Sequence, residues 1–258
     1  MADRQADGSA GDANYGAIGG QYTQYRQPEP AIEALIGRAL GDARKILNVG
    51  AGAGSYEPLD RDVIPVEPSE TMRAQRPPHR TRAVDGTAET LSFPDDSFDA
   101  AMTTFSVHQW ADLEAGLKNM RRVSRGPVIV LSCDPLLVER FWLNDYAPLV
   151  LSTEARRYPS IDRIAAALGG SVDVLSVPIP LECRDGFNEA YYGRPERLLD
   201  AGARQANSAW SFVDAETSAG YVEALRHALA SGEWDARHAA LRTQPTYDGS
   251  LRLIVARR

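Results

Sequence analysis

Apolar side chains along this chain fall into two alternating rhythms. Ile32, Leu35, Ile36, Ala39 and Leu40 recur at helical spacing and stop at Gly41, where a helix can end. Compact apolar runs follow over residues 45–49 and 63–67, and both read as short buried strands. Only residues 50–62 lie between them. A parallel pair needs a crossover of about a dozen residues, and Pro58 shortens any helix that the crossover contains. Ser69 can cap a helix over 70–75, and residues 82–84 read as a third strand. Residues 98–105 then read as a fourth strand, 113–123 as a helix through Leu113, Leu117 and Met120, and 128–132 as a fifth strand. Strands alternating with helices predict a parallel, doubly wound α/β sheet.

After Asp134 the alternation loosens. Residues 136–170 carry Phe141, Trp142 and Tyr146 and then a predicted helix over 160–168, while 172–180 reads as a sixth strand. The stretch 182–212 is irregular and aromatic, with Phe187, Tyr191 and Tyr192. A helix over 219–230 presents Val222, Leu225 and Leu229, and 251–255 supplies a seventh, closing strand. Residues 1–14 are rich in Asp, Ala and Gly, too poor in apolar side chains to offset their ordering entropy, and read as a disordered leader. Residues 15–258 are then expected to form one domain, with a core over about 42–135 and two insertions, 136–170 and 182–212.

Charge narrows the function classes. The formal net charge is −7, and the arginines of 76–82 and 121–125 form short stretches that suit solvated faces. Nucleic acid is therefore not an expected partner. Cys133 and Cys183 stand fifty residues apart with no zinc-ligand or redox spacing, so no metal is expected and a reducing compartment is. With neither a secretory pattern nor an apolar run of membrane-spanning length, a cytoplasmic protein with no membrane partner is expected. Oligomeric state stays open. A nucleophile elbow, a metal-spaced histidine cluster and a Walker loop are all missing.

The candidate chemistry begins at Ile46-Leu47-Asn48-Val49-Gly50-Ala51-Gly52-Ala53-Gly54-Ser55, a strand that runs into glycines at alternate positions. Such glycines let the backbone turn sharply and pass close to a ligand that a Cβ would displace, although a ligand-free tight turn uses them equally well. Thirteen residues after Gly54, Glu67 ends the second run and precedes Pro68-Ser69. A carboxylate there can accept both hydroxyls of a ribose, or simply cap the nearby helix. Next come Asp85-Gly86-Thr87-Ala88-Glu89-Thr90-Leu91-Ser92-Phe93-Pro94 and then Phe98-Asp99.

Together these residues resemble the class I S-adenosylmethionine-dependent methyltransferases of the small-molecule type, over about residues 15–135. The resemblance implies a Rossmann-like, doubly wound, mostly parallel seven-stranded sheet, S-adenosylmethionine as cofactor and S-adenosylhomocysteine as product. It places Gly50, Ala51, Gly52 and Gly54 beneath the methionine part, Glu67 and Pro68 at the ribose, and Met72 near the adenosine. Thr87, Ala88 and Glu89 would border adenine. Phe105-Ser106-Val107-His108-Gln109-Trp110 resembles the segment that such enzymes set beside the reactive methyl. Three departures stand out: Asn48 occupies the place of a usual acid, Thr87 that of a frequent Asp, and the interval from Gly50 to Glu67 is about one helical turn short. The abbreviated loop followed by Glu-Pro-Ser is similar to that of a bacterial subgroup.

The resemblance also implies a small-molecule acceptor methylated on O, N or C by direct displacement. Tyr15, Tyr22, Tyr25, Trp110, Phe141, Trp142 and Tyr191 are candidates for a substrate cover, with plain core packing as the alternative. His108, expected beside the methyl group, is a candidate general base or a residue that only shapes the pocket. Two other functions stay open. A nicotinamide-dependent oxidoreductase would space its glycines as G-x-G-x-x-G, whereas here the third comes one residue early. A binding module without catalysis would keep the cofactor site and transfer nothing.

Overall fold

The computed structural model describes residues 22–257. The expected leader, residues 1–14, lies outside them. Helix α1 (Pro30–Leu40) starts where proline presets φ at the first helical position and the Glu29 carboxylate accepts the Ala31 amide at 3.2 Å. Ile32, Ile36 and Leu40, each four residues on, bury one stripe, and the chain leaves the helix at Gly41 with φ +56°. In an L-residue with a side chain that conformation is strained, so glycine stops the helix at little cost.

Among the described residues eight strands follow: β1 (Lys45–Val49), β2 (Asp62–Val66), β3 (Ala100–Thr104), β4 (Val128–Cys133), β5 (Ser171–Ser176), β6 (Ile179–Pro180), β7 (Thr246–Tyr247) and β8 (Leu251–Arg257). Six of them form one sheet in the order β2-β1-β3-β4-β8-β5, while β6 and β7 make a separate antiparallel ribbon. The pairings among β2, β1, β3 and β4 are parallel, and β8 runs antiparallel between β4 and β5. The interposed helices include α2 (Glu70–Ala74), α3 (Leu113–Val123), α4 (Pro148–Arg157), α5 (Ile161–Leu168) and α6 (Ala215–Ser231).

Alternation along the strands sends side chains to two separate cores. Ile46, Met102, Ile129, Leu131 and Val255 join α1 and the aromatic segments on one face. Leu47, Ala101, Val130 and Ile254 meet Leu117 and Met120 of α3 and Ile164 of α5 on the other. Both faces are covered, as a doubly wound sheet requires. Burying each such large apolar side chain contributes about 1.5–3 kcal/mol.

Two expectations need correction. The sheet has six strands, not seven, because residues 82–84 do not form a strand. Val84 makes only a one-residue bridge to Val66, donating to the Pro65 carbonyl at 2.9 Å and accepting from the Glu67 amide at 3.0 Å. To extend that ladder backwards, residue 65 would have to donate to the carbonyl of residue 82, and proline has no N–H. The run 172–180 is likewise broken: β5 ends at Ser176, and Val177-Pro178 redirects the chain into the β6–β7 ribbon.

One buried acid ties the second insertion to the sheet. Glu189 accepts the Ser250 amide through both carboxylate oxygens at 2.9 Å and the Ser250 hydroxyl at 2.8 Å, just before β8. Burial pushes its carboxyl up to about 7, against the opposing pull of Ser250. A folded-state value above the unfolded one means that its contribution to stability is complete below about pH 4.5 and is lost as the pH rises to about 7. The loss amounts to as much as about 3 kcal/mol. Glu189→Gln, neutral throughout and still able to accept from Ser250, should remove that slope. In urea melts at pH 5 and pH 8 the variant should gain on the parent at the higher pH; an equal difference at both would count against it.

Candidate functional site

The glycine loop leaves β1 with three left-handed residues, Gly50 at φ +64°, Gly52 at +52° and Gly54 at +89°. A Cβ at Gly50 would lie 1.8 Å from Ser106 Oγ, so this position admits no side chain without moving the end of β3. The crossover to β2 contains no helix. What holds it in place is Glu57, buried beneath the loop, which accepts from Asn48 Nδ2 at 3.0 Å and from Arg76 Nη2 at 2.7 Å. Arg76 also donates to the Gly52 carbonyl at 3.2 Å, and Arg80 to the Glu57 carbonyl at 2.9 Å. Asn48, which departs from the acid of the resembling family, thus serves as a donor to this ion-pair network.

Glu67 leaves the end of β2 and fixes the loop from the other side. Its two oxygens accept the Gly52 amide at 2.7 Å and the Ser69 amide at 2.9 Å. Ser69 in turn caps α2 by accepting from the Met72 amide at 3.2 Å. Burial raises the Glu67 carboxyl above its ordinary value, while the Ser69 and Gly52 amides pull it back.

These elements enclose a cavity of about 880 Å³, mouth included, at the carboxyl edge of the parallel strands. Gly50, Ala51 and Gly52 line its floor, with Glu67, Pro68 and Met72 beside them. Thr87, Ala88 and Glu89 line another wall, and Phe105, Ser106 and Trp110 a third. Tyr22, Arg26, Tyr56 and Asp185 complete it. Arg26 pairs with Asp185, which also accepts the Tyr56 hydroxyl at 2.9 Å, and the Gly186 amide donates to the Tyr25 carbonyl at 2.8 Å. The segment before α1 is thereby fastened to the loop after β6 across the cavity.

Phe105 holds a position of strain. Its φ is +51°, unusual for a bulky residue, and such strain collects at functional sites. Its ring lies 4.9 Å from the Arg26 guanidinium and 5.4 Å from the Phe187 ring.

Several expected site residues stand elsewhere. Gly54 faces Arg76, Arg80 and Glu57 and does not line the cavity; its left-handed φ shapes the turn. Trp110 belongs to the main cavity wall, where its Nε1–H donates to Ser106 Oγ at 3.0 Å. Of the expected cover among the described residues, Tyr22 and Trp110 reach the cavity. Tyr25 donates to Asp200 at 2.9 Å and packs on Gly202. Phe141 and Trp142 are core residues: Trp142 Nε1–H donates to the Tyr192 carbonyl at 2.9 Å and its ring meets Trp234 edge-on. Tyr191 is buried against Gly186. These aromatics pack the core because the insertions carry too much apolar surface to leave over solvent. Tyr15 lies outside the described residues.

His108 stands outside the main cavity. It lines an adjoining chamber, its ring 4.7 Å from that of Tyr158, and burial together with the Arg157 and Arg26 guanidinium groups lowers its pKa to about 3. An imidazole so hard to protonate is neutral at physiological pH and accepts a proton poorly.

Comparison with known proteins agrees with this geometry. A family model described as a methyltransferase domain matches residues 47–130. A protein of Anabaena variabilis, described as a methyltransferase from an antibiotic biosynthesis pathway, superposes with a TM-score of 0.85 and 28% identity over 92% of this chain and 100% of that one. The uncharacterised methyltransferase YcgJ of Bacillus subtilis is 30% identical over 31% of this chain and 36% of its own length. Residues 47–130 thus match a methyltransferase domain, and nearly the whole chain is similar to a protein described as a methyltransferase. The Escherichia coli protein YafE is 28% identical over 45% of this chain, and the match spans 58% of YafE, so the chain aligns with about a third to somewhat over half of these curated relatives. Among the described residues no helix is long and apolar enough to cross a membrane, and no group of three metal-binding side chains occurs.

Two measurements test this methyltransferase site. Gly50→Ala should lower stability by at least about 1–2 kcal/mol, the cost of a left-handed L-residue alone, and Ser106→Gly in the same chain should restore part of it. Full stability of Gly50→Ala in thermal melts would contradict the packing. In an NMR titration one of the four histidines, assigned by His108→Gln, should not respond between pH 5 and 8. A His108 midpoint in that window would mean that the ring is hydrated and available as a base.

Proposed function

We propose that this chain transfers a methyl group from S-adenosylmethionine to a small-molecule acceptor. The observation that carries the reading is the joining of a glycine floor to a carboxylate at the end of the neighbouring strand by the Gly52–Glu67 bond of 2.7 Å, within one cavity. Gly50, Ala51 and Gly52 would lie beneath the amino-acid part of the cofactor, and Glu67 would accept from the ribose hydroxyls through the lone pairs that its backbone donors leave. Thr87, Ala88, Glu89 and Trp110 would border adenine. At the other end, Asp185 and Arg26 offer a carboxylate and a guanidinium, matched to the ammonium and carboxylate of an amino acid.

When bound, S-adenosylmethionine supplies a methyl group already activated on a sulfonium. The protein then has to align an acceptor lone pair and exclude water. The Anabaena protein's description as an antibiotic-biosynthesis methyltransferase supports a small-molecule acceptor, and the net charge of −7 weighs against a nucleic acid. A cytoplasmic location is part of the same proposal, supported by two buried free cysteines.

Calorimetry with S-adenosylmethionine and S-adenosylhomocysteine tests the reading. Charge-assisted hydrogen bonds contribute about 1.5–3 kcal/mol, so Glu67→Ala should weaken binding by roughly ten- to a hundredfold. Unchanged affinity would remove Glu67 from the ribose, and binding of NAD without S-adenosylmethionine would reject the methyltransferase reading. Methyl transfer itself is read by incubating labelled cofactor with pools of small metabolites; a protein that only binds would label none.

A further inference from the structure

Behind Phe105 lies a second chamber of about 500 Å³, mouth included, which shares Tyr22, Arg26 and Phe105 with the cofactor cavity. The end of α4 gives it Glu154 and Arg157, three residues apart and therefore on one face, and Tyr158, in extended backbone just after the helix, lines it too. Phe187 lines it from the second insertion.

Glu154 is held from behind by a directed chain. Asn188 Nδ2–H donates to Glu154 Oε2 at 2.7 Å, and Trp210 Nε1–H donates to Asn188 Oδ1 at 3.1 Å. An indole can only donate, so the Asn188 oxygen must face Trp210 and its amide nitrogen must face Glu154. Asn188 and Trp210 are both buried. The carboxylate is thus fixed in orientation by groups that do not themselves line the chamber.

Building on the methyltransferase reading, we propose that this chamber is the acceptor site, that it receives a small phenol, and that Glu154 takes the hydroxyl proton as the oxygen is methylated. The walls supply the ring preference: Tyr22, Phe105, Tyr158 and Phe187 offer aromatic faces to a planar guest. Charge supplies the choice of nucleophile. Arg26 and Arg157 line the chamber and a sulfonium would stand next to it, three positive charges against the two carboxylates of Glu154 and Asp185, so a cationic ammonium is disfavoured, whereas a phenol arrives neutral and becomes anionic as it reacts. Burial also raises the Glu154 carboxyl, against the pull of Asn188 and both arginines, which makes it a stronger base than an exposed carboxylate. Neutral His108 in the same chamber is the weaker acceptor.

The step balances. The phenol oxygen forms its bond to the methyl carbon while the carbon–sulfur bond breaks and its electron pair goes to sulfur. The hydroxyl proton passes to the Glu154 carboxylate, so the sulfonium charge and the carboxylate charge disappear together, and the proton leaves to solvent before the next turnover.

Calorimetry on the full chain, with and without S-adenosylhomocysteine, compares phenol with anisole, which has the same ring and no O–H, and with benzylamine. Phenol should bind the parent protein at least tenfold more tightly than anisole, and that advantage should vanish in Glu154→Gln, which retains the Asn188 bond. Benzylamine should bind more weakly than phenol. With simple phenols as acceptors, Glu154→Gln should lower kcat by at least about a hundredfold while leaving the KM for S-adenosylmethionine unchanged, and Glu154→Asp should recover part of the loss. Melting curves show that the variants are folded. Equal binding of phenol and anisole, an advantage that survives Glu154→Gln, or tighter binding of benzylamine would each overturn the proposal. Binding of S-adenosylhomocysteine without any phenol binding would overturn it while leaving the methyltransferase reading in place; no S-adenosylhomocysteine binding would instead strike that reading.

Discussion

The carboxylate of Glu67 joins the two halves of the main cavity. It stands where β2 ends, and by accepting the amides of Gly52 and Ser69 it sets the path of the glycine loop and the start of α2 together. Because the crossover between β1 and β2 has no helix to stiffen it, the loop depends on such side-chain bonds from both sides. Glu67 holds it above, and Glu57 with Arg76 and Asn48 holds it below. A buried ion pair gains little net stability over an apolar substitute, but breaking one leaves an uncompensated charge. The network therefore acts as a constraint on loop geometry more than as a reserve of stability.

The same economy appears at the far wall. Phe105 accepts a left-handed backbone so that its ring can stand between two chambers, stacked with Arg26 on one side and near Phe187 on the other. Arg26 is anchored by Asp185, which is anchored by Tyr56 of the glycine loop. Strain at one residue and a chain of charged contacts from three distant segments thus create a boundary that no single element could make. Burial beside two guanidinium groups also divides the work among titratable groups. Burial and both guanidinium groups lower the proton affinity of His108, whereas burial raises that of Glu154 against the pull of the same groups, leaving the carboxylate as the better proton acceptor.

The pattern of apolar residues determined much of the architecture. β1, β3, β4 and α3 lie within a residue or two of where alternation and helical spacing place them, because both faces of the sheet are buried and a register slip would expose a whole core. The glycine loop, Glu67 and the segment from Thr87 to Glu89 could be read for a related reason: their roles depend on backbone freedom or on a place at a strand end, both properties of local sequence. The missing seventh strand had a local cause too, in Pro65, but its effect falls on the neighbouring strand and shows only once the register is known.

Tertiary structure alone decided what the aromatic insertions do. Phe141, Trp142 and Tyr191 have the composition of a pocket wall, yet they fill the core, whereas Tyr22 and Phe187 reach the chambers. Composition cannot separate these cases, since hydrophobic burial has no direction and rewards either placement. Glu154 was hidden in the same way: its meaning comes from Asn188 and Trp210, 34 residues and more away in the chain. Which of its two candidate roles His108 could serve was also undecided in the sequence, because the arginines that lower its proton affinity arrive from a segment before α1 and from the end of α4. The sequence by itself determined most of the sheet and the glycine loop, both of which follow from local periodicity and backbone preference. Which side chains meet across the sheet edge, and with what proton affinity, depended on long-range packing and desolvation, and these exist only in the folded chain.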